Sequence, residues 1–485
     1  MHRNDARFKC VKTFCIMALV IVLLQPSRVY AQSAPDSLKE PIAVIDYWLE
    51  SLKDFNRIPG ISVALVKDQQ LVWSKGYGFA DMQKKIPMES GTLCSICSIS
   101  KLFTSVAIMQ LWEQGKIRLD DSVSMYLPAF KLKQDFESVP ITIRSLLTHS
   151  AGLPRESKQG YWTSPFIFPT EKEINDSLGS QATIYPASTM FQYSNLGMSL
   201  LGQIVAKISG MPYERYVEQN ILKPLSLSDT RPYMPKELWG GRLATGYGGL
   251  QRTGERRTMP FFHTNGVAAA AGFSSSALDL ARCAQWQFRL LKGGASELLK
   301  PSTLKEMQRV QWVNPDGGAT WGLGFVVSDE GGTRVVGHDG SCPGYRTVVI
   351  IDPKTTWGAV VMVNAAGINP WDYAAKIMKI MRQYDAEKAV AVPPTHRLQD
   401  YAGIYDNMDW GSETAYLPWK GKLIAVSFPS GDPTGASPNL LLPTKTPDLF
   451  RVVRKDDLPG NLVGFERDAS GNVKRVLVNN NASSK

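Results

Sequence analysis

The spacing of apolar residues changes several times along the chain, and each change marks a structural segment. Ile42, Val44, Ile45, Trp48, Leu49 and Leu52 recur at helical spacing, which predicts a helix over Ile42–Phe55 with one buried face. Ile61–Val66 and Gln70–Gly76 follow as two strand-like runs around a tight Lys67-Asp68-Gln69 turn. From Leu102 to Trp112 the sequence is apolar nearly all round and stops at Gly115, the pattern of a buried helix. Residues 120–310 mix short helices with loops rich in Pro, Ser and Gly. Strand patterns return at Leu323–Val327, Thr333–Gly337, Tyr345–Ile351 and Gly358–Asn364, and a helix follows over Trp371–Tyr384. Strands at both ends with helices between predict one sheet assembled from the two ends of a catalytic domain, residues 32–385, with a helical insertion beside it. Residues 386–396, with Pro393-Pro394 and no periodicity, form a linker. Residues 397–485 alternate in short segments between Gly, Pro and Asp turns, a small all-β domain of sandwich or barrel form.

Composition narrows the class. With 485 residues, 44% hydrophobic and 20% charged, the chain is neither disordered, collagen-like nor disulfide-dense. Its formal net charge of +10 invites a nucleic-acid or acidic-lipid reading. However, Arg3, Arg7, Lys9 and Lys12 precede an apolar core from Phe14 to Leu24, broken by Pro26 and closed by Val29-Tyr30-Ala31. Residues 1–31 are thus expected to be a secretory signal peptide cut before Gln32, and the protein to be exported, periplasmic or extracellular. The apolar core is far short of the roughly 20 residues a membrane span needs, so no stable membrane insertion is expected after cleavage. The remaining chain has 49 basic and 43 acidic residues, a net +6 without a dense basic run, and no nucleic-acid partner is expected. Cys94, Cys97, Cys283 and Cys342 remain; Cys94 and Cys97 have C-x-x-C spacing but no second pair or His pair to complete a zinc site. Both an oxidised pair and buried free thiols are open. No metal and no cofactor are expected.

Three short signals carry chemistry. Ser98-Ile99-Ser100-Lys101 places a lysine three residues after a serine at the mouth of the buried helix, where the amine can reach the hydroxyl. Ser302-Thr303-Leu304-Lys305 has the same spacing at a polar helix start and shows how weak the tetrad is by itself. Tyr193-Ser194-Asn195 presents a phenol and an amide together. A lysine ammonium beside Tyr193 favours the phenolate, so that the residue can act as base or acid. The Asn195 amide can hold a substrate carbonyl. Gly337-His338-Asp339-Gly340-Ser341 sits between a strand and the Pro343-Gly344 turn, where glycines let a substrate approach a strand edge.

Ser98-Ile99-Ser100-Lys101-Leu102-Phe103-Thr104, Leu146-Leu147-Thr148-His149-Ser150-Ala151-Gly152-Leu153-Pro154, Tyr193-Ser194-Asn195 and His338-Asp339-Gly340 occur in that order, and Ala271–Leu280 adds a further stretch. Together they resemble the serine β-lactamase and penicillin-binding-protein superfamily, in its class C β-lactamase, esterase and D-aminopeptidase branch. The resemblance covers about residues 40–384. It implies an α+β fold with an antiparallel sheet flanked by helices and an all-helical insertion. The opening Leu398–Tyr405 of the last domain is similar to the lipocalin-like, barrel-like domains that follow this unit in some relatives. By the same resemblance Ser98 is the acylated nucleophile, Lys101 helps deprotonate it, and Tyr193 is base and acid. Asn195 orients substrate, and the amides of Ser98 and Ser341, beside Gly340, form the oxyanion hole.

His338 stands where many relatives carry the lysine of a Lys-Thr-Gly triplet. A neutral imidazole attracts a substrate carboxylate less than a permanent cation does, so esters or peptides without an essential terminal carboxylate are the expected small-molecule substrates and β-lactams poor ones. His149 has no catalytic part in the resemblance and is expected to pack near the site. A non-enzymatic peptidoglycan- or penicillin-binding protein on the same fold, a true β-lactamase and a DD-carboxypeptidase are the competing readings. The C-terminal domain is expected either to cap the cleft or to hold a homo-oligomer together.

Overall fold

The computed structural model describes residues 32–485 apart from 134–135, 159, 295, 315–319, 408–411, 457 and 480. The expected signal segment, residues 1–31, lies outside the described residues. The main sheet has nine antiparallel strands, in the order Ile86–Pro87, Gln70–Asp81, Gly60–Lys67, Trp357–Val363, Tyr345–Asp352, Arg334–Cys342, Val326–Asp329, Thr320–Trp321 and Trp312–Val313. Gly60–Lys67 pairs with Trp357–Val363, Ile61 opposite Val363 and Lys67 opposite Trp357, so early and late segments meet at its centre. Helices cover both faces. Val361 and Val363 face the helices Lys39–Phe55 and Pro370–Ala386, while Val360 and Met362 face the core around the helix Ser100–Glu113. Burial on both faces explains why these strands read as continuous apolar runs.

One strand is longer than its pattern. The apolar alternation stops at Gly337, yet the strand runs Arg334–Cys342 and carries His338, Asp339, Gly340 and Ser341 within the sheet. Glycine makes this packing possible: a Cβ at Gly337 would lie 2.0 Å from the Val349 carbonyl oxygen, and one at Gly340 2.2 Å from that of Ile96. Gly340 therefore serves the contact between this strand and the turn before Ser98, a packing role beside the substrate approach its sequence suggested.

The last eight strands, from Gly403–Asn407 to Asn481–Ser484, form a closed barrel, sealed where Asp406 pairs with Ser484. Its interior is filled by Tyr401, Tyr405, Tyr416, Phe450 and Phe465. Alternate residues point the other way: Leu417, Trp419, Ile424 and Val426 pack with Ile45, Trp48 and Leu49 of the first helix. Trp48 Nε1 donates to the Ser430 carbonyl at 2.8 Å, and Lys379 pairs with Asp432 at 2.6 Å. The segment before the barrel is tied down as well, since Val390 N–H donates to the Lys420 carbonyl at 3.0 Å. Among the described residues no helix is long and apolar enough to cross a membrane.

Candidate active site

Ser98 lies in a 3-10 turn, Cys97–Ile99, just ahead of the helix Ser100–Glu113 rather than within its first α-helical turn. Short strand pairing of Leu93–Ser95 with Ser274–Ser276 brings the chain to this turn. Ser100 then fastens it, donating from its hydroxyl to the Cys97 carbonyl at 2.5 Å and accepting from the Phe273 N–H at 3.1 Å. Cys97 is forced to a φ of 51°, an uncommon left-handed conformation for a residue other than glycine.

Lys101 is completely buried. Its Nζ lies 3.1 Å from Ser98 Oγ and 2.8 Å from both Asn195 Oδ1 and the Ala270 carbonyl oxygen. Loss of water pushes its pKa down to about 7, against the opposing pull of the Glu156 carboxylate. A neutral amine has two hydrogens and one lone pair. Two carbonyl acceptors take the hydrogens, and the lone pair is left for the Ser98 hydroxyl.

Tyr193 shares a hydrogen bond with Ser98, and its ring lies 4.8 Å from Lys101 Nζ and 4.9 Å from the Arg155 guanidinium. These two neighbours do not produce the phenolate that the sequence suggests. Burial dominates and raises the pKa of Tyr193 above its ordinary value, so the residue is a phenol at neutral pH. The box responsible comes from three segments: His149 stacks on the Tyr193 ring at 4.3 Å between centroids, Trp321 at 5.8 Å and His338 at 6.4 Å.

Asn195 begins the helix Asn195–Ser209, and its amide is engaged at both ends. Its carbonyl accepts from Lys101, and its Nδ2 donates to Glu156 Oε1 at 2.6 Å. Nδ2 keeps a second hydrogen that Glu156 does not take, so the amide bridges the lysine and a carboxylate and still has a donor for a substrate carbonyl. Tyr161 donates to the second oxygen of Glu156, and Arg155 Nε lies 3.4 Å from the first. Sequence reasoning missed Glu156; its only signal is a carboxylate two residues beyond the Leu153-Pro154 motif.

His338 is buried, and its Nδ1 is 2.6 Å from the Asp339 carbonyl oxygen. Because a carbonyl only accepts, Nδ1 carries the proton, and Nε2, without a partner among the described residues, keeps its lone pair. Burial lowers its pKa and holds it neutral. His149 shows the opposite tautomer: Nδ1 accepts from the Ser194 N–H at 3.2 Å, which leaves the proton on a buried Nε2. It packs near the site, as its turn motif suggests.

Ser98 and Ser341 meet at an open cleft of about 730 Å³. Glu156, Arg155 and Asn195 line one side, Trp162, Phe166 and Met259 supply an apolar wall, and Arg346 lies on the Ser341 side. Arg346 Nη1 donates to the carbonyls of Cys342 and Tyr345 at 3.2 and 3.0 Å. The neutral His338 leaves position 338 without a charge, yet Arg346 gives the cleft a cation that the sequence reading did not anticipate. Among the described residues, none that lines this cleft comes from the barrel. A disulfide joins Cys97 to Cys342, with Cα atoms 5.8 Å apart, while Cys94 and Cys283 are buried free thiols. Thus both open cysteine states occur in one chain.

The sheet, its helical layers and the lysine–serine–tyrosine cluster define a serine hydrolase fold of the β-lactamase and penicillin-binding type. The chain belongs to the Beta-lactamase family, whose model matches residues 46–378. It is 26% identical over 340 residues to Protein flp of Staphylococcus aureus (strain NCTC 8325 / PS 47), covering 68% of this chain and 63% of that protein. The chain therefore spans less than two thirds of the length of flp. It is 24% identical over 363 residues to the D-alanyl-D-alanine-carboxypeptidase/endopeptidase AmpH of Escherichia coli (strain K12), covering 72% of this chain and 91% of AmpH. Among solved structures, the octameric penicillin-binding protein homologue from Pyrococcus abyssi superimposes with a TM-score of 0.63 at 23% identity. That match covers 92% of this chain and all of the other.

Proposed function

We propose that the protein is an exported hydrolase that cleaves ester or amide bonds, including peptide bonds, through an acyl-enzyme on Ser98. The observation that carries this reading is the 3.1 Å separation between Ser98 Oγ and the buried Lys101 Nζ, an amine whose pKa is pushed down to about 7. Lys101 takes the Ser98 proton as the hydroxyl attacks the substrate carbonyl, and the amides of Ser98 and Ser341 stabilise the oxyanion. Tyr193, a phenol, passes a proton to the leaving group. Water then attacks the acyl-enzyme, its proton restores the Tyr193 phenol, and the Lys101 ammonium returns the other proton to Ser98 Oγ. Asn195 keeps Lys101 aligned, and the neutral His338 supports the Tyr193 ring. The carboxypeptidase/endopeptidase activity for which AmpH is named supports peptides among the substrates. The neutral charge at position 338 supports a preference for simple esters over β-lactams.

Labelling with a fluorophosphonate tests the chemistry, with Ser98→Ala as control. Intact-mass detection of one adduct, lost in the control, is expected; no adduct on the native chain overturns the reading in favour of a non-catalytic binding protein. Comparison of kcat/KM for p-nitrophenyl acetate and nitrocefin tests the preference, which efficient nitrocefin turnover would sink. N-terminal sequencing of the exported protein tests cleavage before Gln32. The octameric Pyrococcus relative supports self-association, with the barrel as the proposed contact; a monomeric solution mass overturns it.

A further inference from the structure

We propose that the Cys97–Cys342 disulfide is a positioning element of the active site, holding Ser98 and Ser341 in register so that their amides can act on one oxyanion. This rests on the acyl-enzyme reading above. The bond joins the residue just before the nucleophile to the residue just after Ser341, at a sequence separation of 245. Both cysteines are buried, at 0% and 5% exposure. Cys342 also lines the cleft and ends the strand Arg334–Cys342.

Two independent features show that this junction needs holding. The first is the left-handed φ of 51° at Cys97. A side chain at such an angle is strained and persists where its surroundings over-determine it. The second is the closeness of the two segments. The Ile96 carbonyl oxygen lies where a Cβ on Gly340 would be, and it accepts from Thr347 Oγ1 at 3.2 Å. That hydrogen bond fixes the chain two residues before Ser98, on the far side of the strained residue. Ser95 Oγ, 3.4 Å from Cys342 Sγ, packs against the sulfur itself. Of the ties between the turn and the strand, the disulfide is the one next to both reacting residues.

Oxyanion donors work at hydrogen-bond distance from a position that exists only in the transition state, and losing one costs about 10²–10³ in kcat. Freeing the junction lets Cys97 relax and moves one amide relative to the other. The Trp162–Phe166 wall lies outside the junction, and Arg346 keeps its bond to the Tyr345 carbonyl beside the one to Cys342. The loss is therefore expected in kcat, with KM nearly constant.

The test compares the full chain with the double variant Cys97→Ala, Cys342→Ala, which leaves no stray thiol. A fall in kcat of about 10- to 100-fold, with KM within about twofold, is expected. Affinity for a boronic-acid inhibitor that mimics the tetrahedral intermediate should fall in parallel, a readout that lost stability does not move at temperatures below unfolding. In case the variant folds poorly, the native protein is reduced with a water-soluble trialkylphosphine. Each phosphine gains the oxygen of one water to become its oxide, and the S–S bond becomes two thiols. Activity should fall as peptide mapping finds free Cys97 and Cys342, and return on reoxidation with oxidised glutathione. Unchanged kcat in a folded double variant, or free thiols at both positions in fully active enzyme, overturns the proposal. Absence of a Ser98 adduct on the native chain overturns the acyl-enzyme reading instead, so the two failures are distinct.

Discussion

Asn195 Nδ2 donates to Glu156 Oε1 across 2.6 Å, while the other end of the same amide accepts from Lys101. One side chain thereby couples a carboxylate in the cleft wall to the lysine nearest the nucleophile. Glu156 acts on Lys101 through charge, raising its pKa against the lowering by burial. Glu156→Gln keeps an acceptor for Asn195 and removes the charge. Its acid limb in kcat/KM is expected to move to lower pH, with the plateau largely kept. A pH–rate profile that stays in place overturns the coupling.

For the native protein the sign under the proposed mechanism follows from Lys101 itself. Its ammonium form cannot take the Ser98 proton, and its pKa is pushed down to about 7. The kcat/KM for an ester should therefore rise with pH through about 7 and level off above it. Lys101→Met is expected to lower kcat by about 10²–10⁴, the usual worth of a positioned base, and to remove the limb. Steady-state kinetics over pH 5–9 (roughly the range in which such groups titrate) check both.

Arg346 is the cation on the Ser341 side of the cleft, its guanidinium anchored through Nη1 to two backbone carbonyls. Substrates ending in a carboxylate should feel its removal, and neutral esters should not. Arg346→Ala is expected to lower kcat/KM about tenfold, or 1.4 kcal/mol, for an acyl-dipeptide with a free carboxylate. Turnover of its amidated analogue should be unchanged. Equal losses on both would make Arg346 a packing residue only.

Trp48 lies fully buried between the sheet layer and the barrel, hydrogen-bonded to Ser430. Truncation leaves a large cavity there, far from the cleft. Trp48→Ala is expected to cost about 3–5 kcal/mol of stability with kcat/KM retained in the folded fraction. Denaturant unfolding and ester turnover separate the two effects. A folded variant with greatly reduced turnover would tie the barrel to catalysis.

The Ser98–Lys101 pair was legible because helical spacing is local, and the apolar run after it says the helix is buried. Ser302 and Lys305 share the spacing, but both are exposed on the helix Pro301–Gln308. What sequence could not convey is environment assembled from distant segments. The protonation of Tyr193 depends on His149, Trp321 and His338, which no local pattern connects. The pairing of Cys97 with Cys342, the bridge from Asn195 to Glu156 and the place of Arg346 are likewise contacts across the fold. The strand through His338 was cut short because glycine has a low strand propensity, whereas close packing against Ile96 and Val349 demands it here. The barrel's alternation was legible, and a clue to its docking was present as well: Ala415–Trp419 is apolar in both directions, as a strand covered on both sides must be.

The Cys97–Cys342 bond also turns most of the catalytic unit into a covalent loop with the active site at its neck. A closed loop of 245 residues limits the unfolded chain by roughly 5–6 kcal/mol in the chain-entropy model. A protease cut anywhere within that loop yields two fragments that remain one molecule until reduced. Ser98 and Ser341 stay joined at the neck whatever happens to the chain between them.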